Sequence, residues 1–271
     1  MDSQNIVDGP IRAMLSETLA EASTAYLVNP AVDAISELVD VLREFDEPPT
    51  VSLLAPEPSL KAVMDDFLVA SVAAELIDTD VLAIRLLDEQ PVNSLLVTED
   101  AVVSLVTAVE TPAGLRTEDE SFLDTTRSYY GDVWEAAAEF SLRTPPLARV
   151  RSTLEAELGT QTRRDFDAVL ESLSVVRGDG QGLDEVTISL LVAARNEQLL
   201  YDVSKWGEDV GLASKATFSR TKSTLEELGL LATEKVPIDV GRPRLRLLLG
   251  DERLRSADVD ELADAARAML A

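Results

Sequence analysis

The sequence predicts three parts: an α/β N-terminal domain with a mixed sheet and crossover helices, a helical connector, and a C-terminal domain with a helix pair and a hairpin. Three observations predict this fold class. Short apolar runs alternate with amphipathic stretches in the first half, five of the twelve aromatic residues gather in one helical stretch, and a glycine separates two short helices that precede two basic strands. We place the parts at residues 1–117, 118–178 and 179–271.

The N-terminal domain alternates helices and strands. After a first helix over 6–22, apolar runs predict three strands, and the amphipathic stretches between them predict one helix from Asn29-Pro30 and another over 57–77. The predicted strands are 24–28, 50–55 and 81–87. Strands separated by helices form a parallel sheet with crossover helices, and a predicted hairpin over 94–98 and 101–109 makes the sheet mixed.

This domain carries no motif of a familiar catalytic chemistry. It has no GxGxxG sequence, no phosphate-binding loop and no GxSxG elbow. The chain has no cysteine and no histidine, which excludes disulfides, the usual zinc sites and histidine-based acid–base catalysis. We therefore expect a protein that is not an enzyme and that holds neither a cofactor nor a metal.

An anion-binding pocket is one expectation for the α/β domain, because ligands of open α/β sheets settle beyond the carboxyl ends of the strands. Helices that begin near those ends could offer their N-termini to the anion. The candidate ligand-binding residues for a small anionic metabolite are Asn29, Ser59, Lys61, Arg85 and Arg116. The sheet edge could instead serve dimerisation, and the sequence leaves both alternatives open.

Helices dominate the middle of the chain. A helix over 121–142 carries five of the twelve aromatic residues, Pro145-Pro146 ends it, and two amphipathic helices follow over 147–158 and 163–175. The aromatic cluster could form the joint between the domains, a dimer surface or ordinary core. A last helix, over 257–270, could contact a dimer partner or cap the C-terminal domain.

A helix pair is the main feature of the last third of the chain. After a helix over 184–195, residues 199–210 carry apolar side chains at helical spacing, and Gly211 offers the left-handed conformation at which helices end. Ser214 then caps a second helix that runs to about Leu228. The residues that this second helix should bury are Phe218, Leu225 and Leu228.

Basic and hydroxyl side chains crowd the other face of the second helix and the strands after it, which is typical of a winged helix–turn–helix that reads DNA. Residues 212–246 hold 7 basic and 4 acidic residues, a positive strip in a chain of net charge −26. The candidate DNA-binding residues are Ser214, Lys215, Thr217, Ser219, Arg220, Lys222, Arg242, Arg244 and Arg246. Two alternatives are an ordinary helix pair with a hairpin, and an adaptor whose C-terminal domain docks another protein.

The charge of the whole chain is its most unusual property. Fifty acidic residues stand against 24 basic ones, and the acids are spread along the chain rather than gathered in a tail. This favours adaptation to concentrated salt, and hence a halophile, over an acidic surface for one partner. No apolar run approaches the roughly 20 residues of a membrane span, and the first residues lack the basic region of a signal peptide, so we expect a soluble cytoplasmic protein.

The stretch 206–231 has a Val-Gly-Leu turn, a helix of Ser, Thr, Lys and Arg residues and a Leu-Glu-Glu-Leu-Gly-Leu-Leu ending, and it resembles archaeal winged helix–turn–helix regulators. Over essentially the whole chain, the layout is similar to the haloarchaeal TbsP family, suppressors of the sugar-responsive regulator TrmB. The sequence departs from many such motifs at Thr221 and Lys222, where an apolar residue is usual.

The resemblance implies a dimeric transcription factor that acts on genes of central carbon metabolism. Taken with the residues, it leads us to expect a homodimer that binds double-stranded DNA at a palindromic promoter site. We expect the N-terminal domain to sense a small metabolite, to assist dimerisation, or to do both.

Overall fold

The computed structural model describes residues 6–88, 91, 93–108, 111–175, 183–237 and 243–270. The chain divides into two compact units, Met1–Leu142 and Arg143–Ala271. The predicted fold class is confirmed: the first unit holds a mixed sheet with helices, and the second is helical with one hairpin. The predicted domain boundaries stay a prediction.

Seven strands of the described residues form one sheet in the N-terminal unit. They are β1 (Ile6–Asp8), β2 (Thr24–Val28), β3 (Thr50–Ala55), β4 (Leu82–Leu86), β5 (Ser94–Val97), β6 (Val102–Ala108) and β7 (Thr111–Thr117). Their order is β1-β7-β6-β5-β2-β3-β4. The β2–β3 and β3–β4 pairs are parallel and the other pairs are antiparallel, so the sheet is mixed as the sequence predicts.

Helices pack on both faces of this sheet. They are α1 (Ile11–Ala20), α2 (Val32–Glu44), α3 (Glu57–Met64), α4 (Phe67–Asp78) and α5 (Glu120–Ala136). Successive residues of a strand point to opposite faces. Val103 of β6 therefore lies on the face where Met14 of α1 approaches Gly114 of β7, whereas Val102 joins Leu123 of α5 in a buried cluster on the other face.

Two predicted helices of this unit are wrong at their ends. Residues 6–8 form β1 rather than the start of a helix, because Gly9 (φ 138°) and Pro10 separate them from α1. The helix predicted over 57–77 is two helices, since the Asp66 carboxylate accepts from two backbone amides in the first turn of α4 and so begins a new helix.

The segment after α5 and the strand before it also differ from the prediction. The helix predicted over 121–142 ends at Ala136. The following residues pair with the edge of the sheet, where the Leu86 amide of β4 donates to the Ala138 carbonyl at 2.8 Å. Strand β7 has no counterpart in the prediction, although it pairs with β6 along its whole length.

The C-terminal unit contains α6 (Leu147–Leu158), α7 (Thr160–Val175), α8 (Glu185–Arg195), α9 (Leu200–Val210), α10 (Lys215–Glu227), β8 (Leu231–Val236), β9 (Arg244–Leu249), α11 (Glu252–Ser256) and α12 (Leu262–Leu270). Trp206 of α9 is fully buried, and its indole Nε1 donates to Thr153 Oγ1 of α6 at 3.0 Å. Of the two helices predicted as part of a connector, α6 therefore packs on α9 of the helix pair, and α7 packs on α8.

Two details of this unit correct the sequence analysis. The helix predicted over 257–270 is shorter, because α12 begins only at Leu262. Leu228 and Leu270, which the sequence pattern places on apolar faces, are 48% and 41% exposed. No helix among the described residues combines the length and the hydrophobicity that a membrane-spanning segment needs.

Candidate nucleic-acid interface

Backbone and side-chain caps hold the turn between α9 and α10. Gly211 adopts the left-handed conformation (φ 93°) at the end of α9, and the Leu212 amide donates to the Gly207 carbonyl at 2.8 Å. Ser214 begins α10, because its Oγ accepts from the Thr217 amide at 3.1 Å. The predicted glycine break and serine cap are confirmed. The two helices therefore meet at a short turn of the helix–turn–helix kind.

Helix α10 packs directly on the backbone of α9. A Cβ atom built on Gly207 would lie 2.2 Å from a ring carbon of Phe218, so only glycine leaves room for this ring. Phe218 and Leu225 are the buried side chains of α10. The contact sets the depth and rotation of α10 against α9, and it thereby determines which side chains α10 exposes.

The hairpin of β8 and β9 is attached to both helices. On the outer edge of β9, the Leu247 amide donates to the Gln198 carbonyl at 2.9 Å, just before the first residue of α9. On β8, the Thr233 hydroxyl donates to the Glu226 carboxylate of α10 at 2.7 Å. The hairpin is therefore fixed to the start of α9 and to the end of α10.

Small side chains and one arginine form one exposed stripe of α10, beside the exposed Lys215, Thr224 and Glu227. We name this stripe the reading face: Ala216, Ser219, Arg220 and Ser223, all of them exposed. The Ser223 hydroxyl donates to the Ser219 carbonyl at 3.0 Å and so lies against the helix. The Arg220 side chain makes no hydrogen bond or ion pair with any residue that the structure describes, which leaves its guanidinium available to a partner.

The other predicted residues of the first turn of α10 are engaged within the protein. The hydroxyls of Ser214 and Thr217 lie 3.0 Å apart and belong to the helix cap. The Lys215 ammonium donates to the Glu208 carboxylate of α9. This hydrogen bond raises the pKa of Lys215 and lowers that of Glu208, so both groups stay charged at neutral pH.

Lys222 does not lie on the exposed face where the sequence places it. Its side chain is only 12% exposed, and its ammonium lies 2.7 Å from the Glu226 carboxylate one turn further along α10. The position is one where related motifs carry an apolar residue, and the lysine stem fills that inward position while the charge is paired. Lys222 therefore joins α10 to the hairpin through Glu226, which also accepts from Thr233.

The hairpin arginines also have partners within the unit. The guanidinium of Arg244 stacks on the Tyr201 ring, 4.3 Å from its centroid, and lies 3.2 Å from an Asp202 carboxylate oxygen. Arg246 lies 3.6 Å from the carboxylate of Glu234, its cross-strand neighbour. Arg242 and the turn predicted at Gly241 lie outside the described residues.

Lys235 is a candidate DNA contact that is absent from the residues predicted from the sequence. This lysine of β8 is exposed and makes no ion pair with a described residue. Leu231, Thr233 and Lys235 alternate along the strand and so share the hairpin face that contacts α10. That alternation is visible in the sequence, but the more conspicuous Arg244 and Arg246 of β9 direct the prediction to the opposite face.

The predicted ligand-binding residues do not form one site. Arg116 on β7 and Arg85 on β4 are five strand spacings apart, about 24 Å. Arg116 pairs with Glu118 at 3.0 Å, and Arg85 stacks on Trp134. The other three lie nearer to one another, because Asn29 follows β2 and Ser59 and Lys61 belong to α3, which follows the neighbouring strand β3.

Of these three, Asn29 donates to the Pro91 carbonyl at 2.8 Å, Lys61 pairs with Glu57 at 2.7 Å, and Ser59 is half-buried. Arg116 borders a cavity of about 390 Å³, which is lined mainly by side chains of β1, β5, β6, β7 and α5.

Comparison with known proteins matches both units. Residues 3–145 match the family model described as the N-terminal part of TbsP-like transcriptional regulators, and residues 146–267 match the model of their C-terminal helix–turn–helix domain. No curated protein matches the chain.

Two solved structures show a partial likeness. One is TrmBL2, an archaeal chromatin protein with a novel mode of DNA binding, at 14% identity and a TM-score of 0.38 over 52% of this chain and 56% of that one. The other is NucT from Helicobacter pylori, at 12% identity and a TM-score of 0.34 over 50% of this chain and 97% of that one. The chain thus spans only about half of the TrmBL2 chain.

The two family models adjoin at residues 145 and 146 and together span nearly the whole sequence, in the order of the two units that the structure shows. The resemblance found in the sequence is confirmed at the level of the family. The chain belongs to the family of TbsP-like transcriptional regulators.

Proposed function

We propose that this regulator binds specific DNA sequences through α10, with the β8–β9 hairpin as the wing of a winged helix–turn–helix domain. The reading face is the observation that carries the proposal. Its one arginine, without a partner in the described residues, stands among side chains small enough for α10 to lie deep in the major groove. A surface built to dock a protein would instead present an apolar patch there.

The reading face supplies the chemistry that base recognition needs. An arginine donates two parallel hydrogen bonds to O6 and N7 of guanine, and a serine hydroxyl pairs with several base edges. We assign Arg220 and Ser219 to base edges. The helix dipole at the start of α10 favours a nearby phosphate, and the hairpin would lie beside the DNA backbone.

The test is promoter occupancy in the native host. The wild-type chain should occupy discrete promoters, and an Arg220→Ala chain should lose them, because a lost guanine contact costs about 1–3 kcal/mol. The genes at those promoters would also test the expectation, which rests on the family resemblance, that the targets belong to central carbon metabolism. The reactions catalysed by the products of those genes would indicate the chemical class of any effector that the N-terminal unit senses.

A homodimer is the second part of the proposal, because two copies present two recognition helices to a palindromic site. Four large apolar side chains stand on or beside the sheet face that α5 only partly covers: Ile6, Val106, Leu115 and Phe122, which are 43% to 52% exposed. We infer that this apolar face contacts a second copy, since a gathered apolar surface is unusual on an acidic chain unless it is covered.

We also infer that the protein works in the cytoplasm of a halophile. A net charge of −26 that is spread over the chain is tolerated where concentrated salt screens self-repulsion. Intracellular salt of that kind would also limit how much DNA affinity can come from phosphate contacts.

A further inference from the structure

The cations of the helix pair and the hairpin fall into two classes. Residues 200–237 and 243–249 contain seven lysines and arginines, and five of them form ion pairs within the unit. The five pairs are Lys205–Asp209, Lys215–Glu208, Lys222–Glu226, Arg244–Asp202 and Arg246–Glu234. The two cations without a partner among the described residues are Arg220 and Lys235.

An ion-paired cation contributes little to DNA binding. The net charge of an ion pair is zero, so the pair as a whole is hardly attracted to the duplex. If the cation leaves the pair to contact a phosphate, the carboxylate that it leaves behind is repelled by the negative charge of the DNA. An unpaired cation delivers its full charge and displaces a condensed counterion. The difference matters most for a polyanionic protein, because every unpaired carboxylate near the DNA opposes binding.

Lys235 has the position that a DNA contact requires. Lys235 lies two residues after Thr233 on β8, so both side chains are on the same face of the hairpin. The Thr233 hydroxyl donates to the Glu226 carboxylate of α10, which places this face beside α10. The cross-strand neighbour of Lys235 is Leu245, so Arg244 and Arg246 point to the opposite face. That opposite face lies against Tyr201 and Asp202 at the start of α9.

We propose that Lys235 is a DNA phosphate contact, that it acts with Arg220 as one of the two cations engaging the duplex, and that Arg244 and Arg246 instead position the hairpin. The inference rests on the proposed function. It adds Lys235 as a DNA contact and separates the cations that bind DNA from those that position the hairpin. Arg220 supplies base specificity, and Lys235 supplies affinity that is independent of sequence.

The experiment measures the equilibrium constant for a duplex that the wild-type chain selects from a random pool, by fluorescence anisotropy over a series of KCl concentrations. Lys235→Ala should reduce the slope of log K against log salt by about 0.9 and weaken binding about fourfold at roughly 0.2 M KCl, as expected for one lost phosphate contact. The loss should be the same on selected and scrambled duplexes. Lys235→Arg, which keeps the charge, should restore the wild-type slope.

Lys205→Ala is the matched control, because Lys205 is an exposed lysine of the same unit that pairs with Asp209 at 2.6 Å. Its slope should equal that of the wild type. A Lys235→Ala slope that equals the wild-type slope would overturn the assignment of Lys235 while leaving sequence-specific binding intact. A wild-type chain that enriches no sequence from the pool would overturn the proposed function itself.

Discussion

Gly207 and Lys222 show how much of the candidate site depends on single residues. The burial of Phe218 could be predicted from apolar spacing, but the close approach of its ring to Gly207 could not, because a helix interior gives no signal of what packs on it. The charge of Lys222 favours the exposed face in the sequence pattern. A lysine can bury its stem while its ammonium reaches an acid, so charge alone does not place it on the surface.

Gly207→Ala should destabilise the C-terminal unit. The new methyl group would overlap the Phe218 ring, and overpacking of this kind costs about 1–3 kcal/mol. Urea unfolding followed by tryptophan fluorescence would measure the change, since Trp206 is the neighbouring buried residue. Gly131→Ala in α5 is the control: no atom lies closer than 4.0 Å to the position that its new methyl group would take, so it should be neutral or stabilising. Equal stability of Gly207→Ala and wild type would refute the packing account.

At the scale of elements, strands β2 and β3 and the cap of α10 follow the sequence pattern closely, whereas β1 and β7 do not. Strand β7 contains Pro112 and Gly114 and lacks the β-branched alternation of an ordinary strand. It forms because it pairs with β6, and because Gly114 leaves space for the Val103 and Met14 side chains. The Met14 contact joins residues far apart in sequence, so no local pattern could predict it, although β6 and β7 are neighbours along the chain.

The apolar face made by β1, β6 and β7 can be tested as a dimer interface by one substitution. Leu115→Glu should convert a dimer into a monomer of 29.3 kDa, because a carboxylate at a 52% exposed apolar position would be buried unpaired in the interface. Sedimentation velocity would give the mass. Val32→Glu in α2, at a side chain that is 45% exposed, should leave the dimer intact. A monomeric wild type, or a Leu115→Glu chain that stays dimeric, would show that this face is not the dimer interface.

At the scale of the whole molecule, composition predicts more about the environment than about the fold. The net charge of −26 is visible in the sequence, and so is the positive strip around α10. An i,i+4 pair such as Lys222–Glu226 can be foreseen from the sequence, but a pair such as Arg244–Asp202 cannot, because its residues lie far apart in sequence. The sequence can therefore predict a candidate DNA-binding surface, but only the structure separates its paired from its unpaired cations.

The charge predicts that KCl stabilises the protein. Raising the salt from about 0.1 M to about 1 M shortens the screening length from about 10 Å to about 3 Å and relieves repulsion between carboxylates. Each kcal/mol gained should raise the unfolding midpoint by about 2–8 °C for units of this size. Differential scanning calorimetry in KCl, rather than in a sulfate salt that stabilises by exclusion, is the suitable measurement. A midpoint that stays constant or falls would argue against adaptation to salt.

The most direct test of the central claim is genome-wide occupancy of the chain in its native host, for wild type, Arg220→Ala and Arg43→Ala. Arg43 is an exposed arginine of α2, so its removal changes the net charge equally but leaves the reading face untouched. We expect discrete promoter peaks for wild type and Arg43→Ala, and their loss for Arg220→Ala at equal protein abundance. Peaks that persist unchanged in Arg220→Ala, or an absence of wild-type peaks, would contradict the claim that α10 reads DNA.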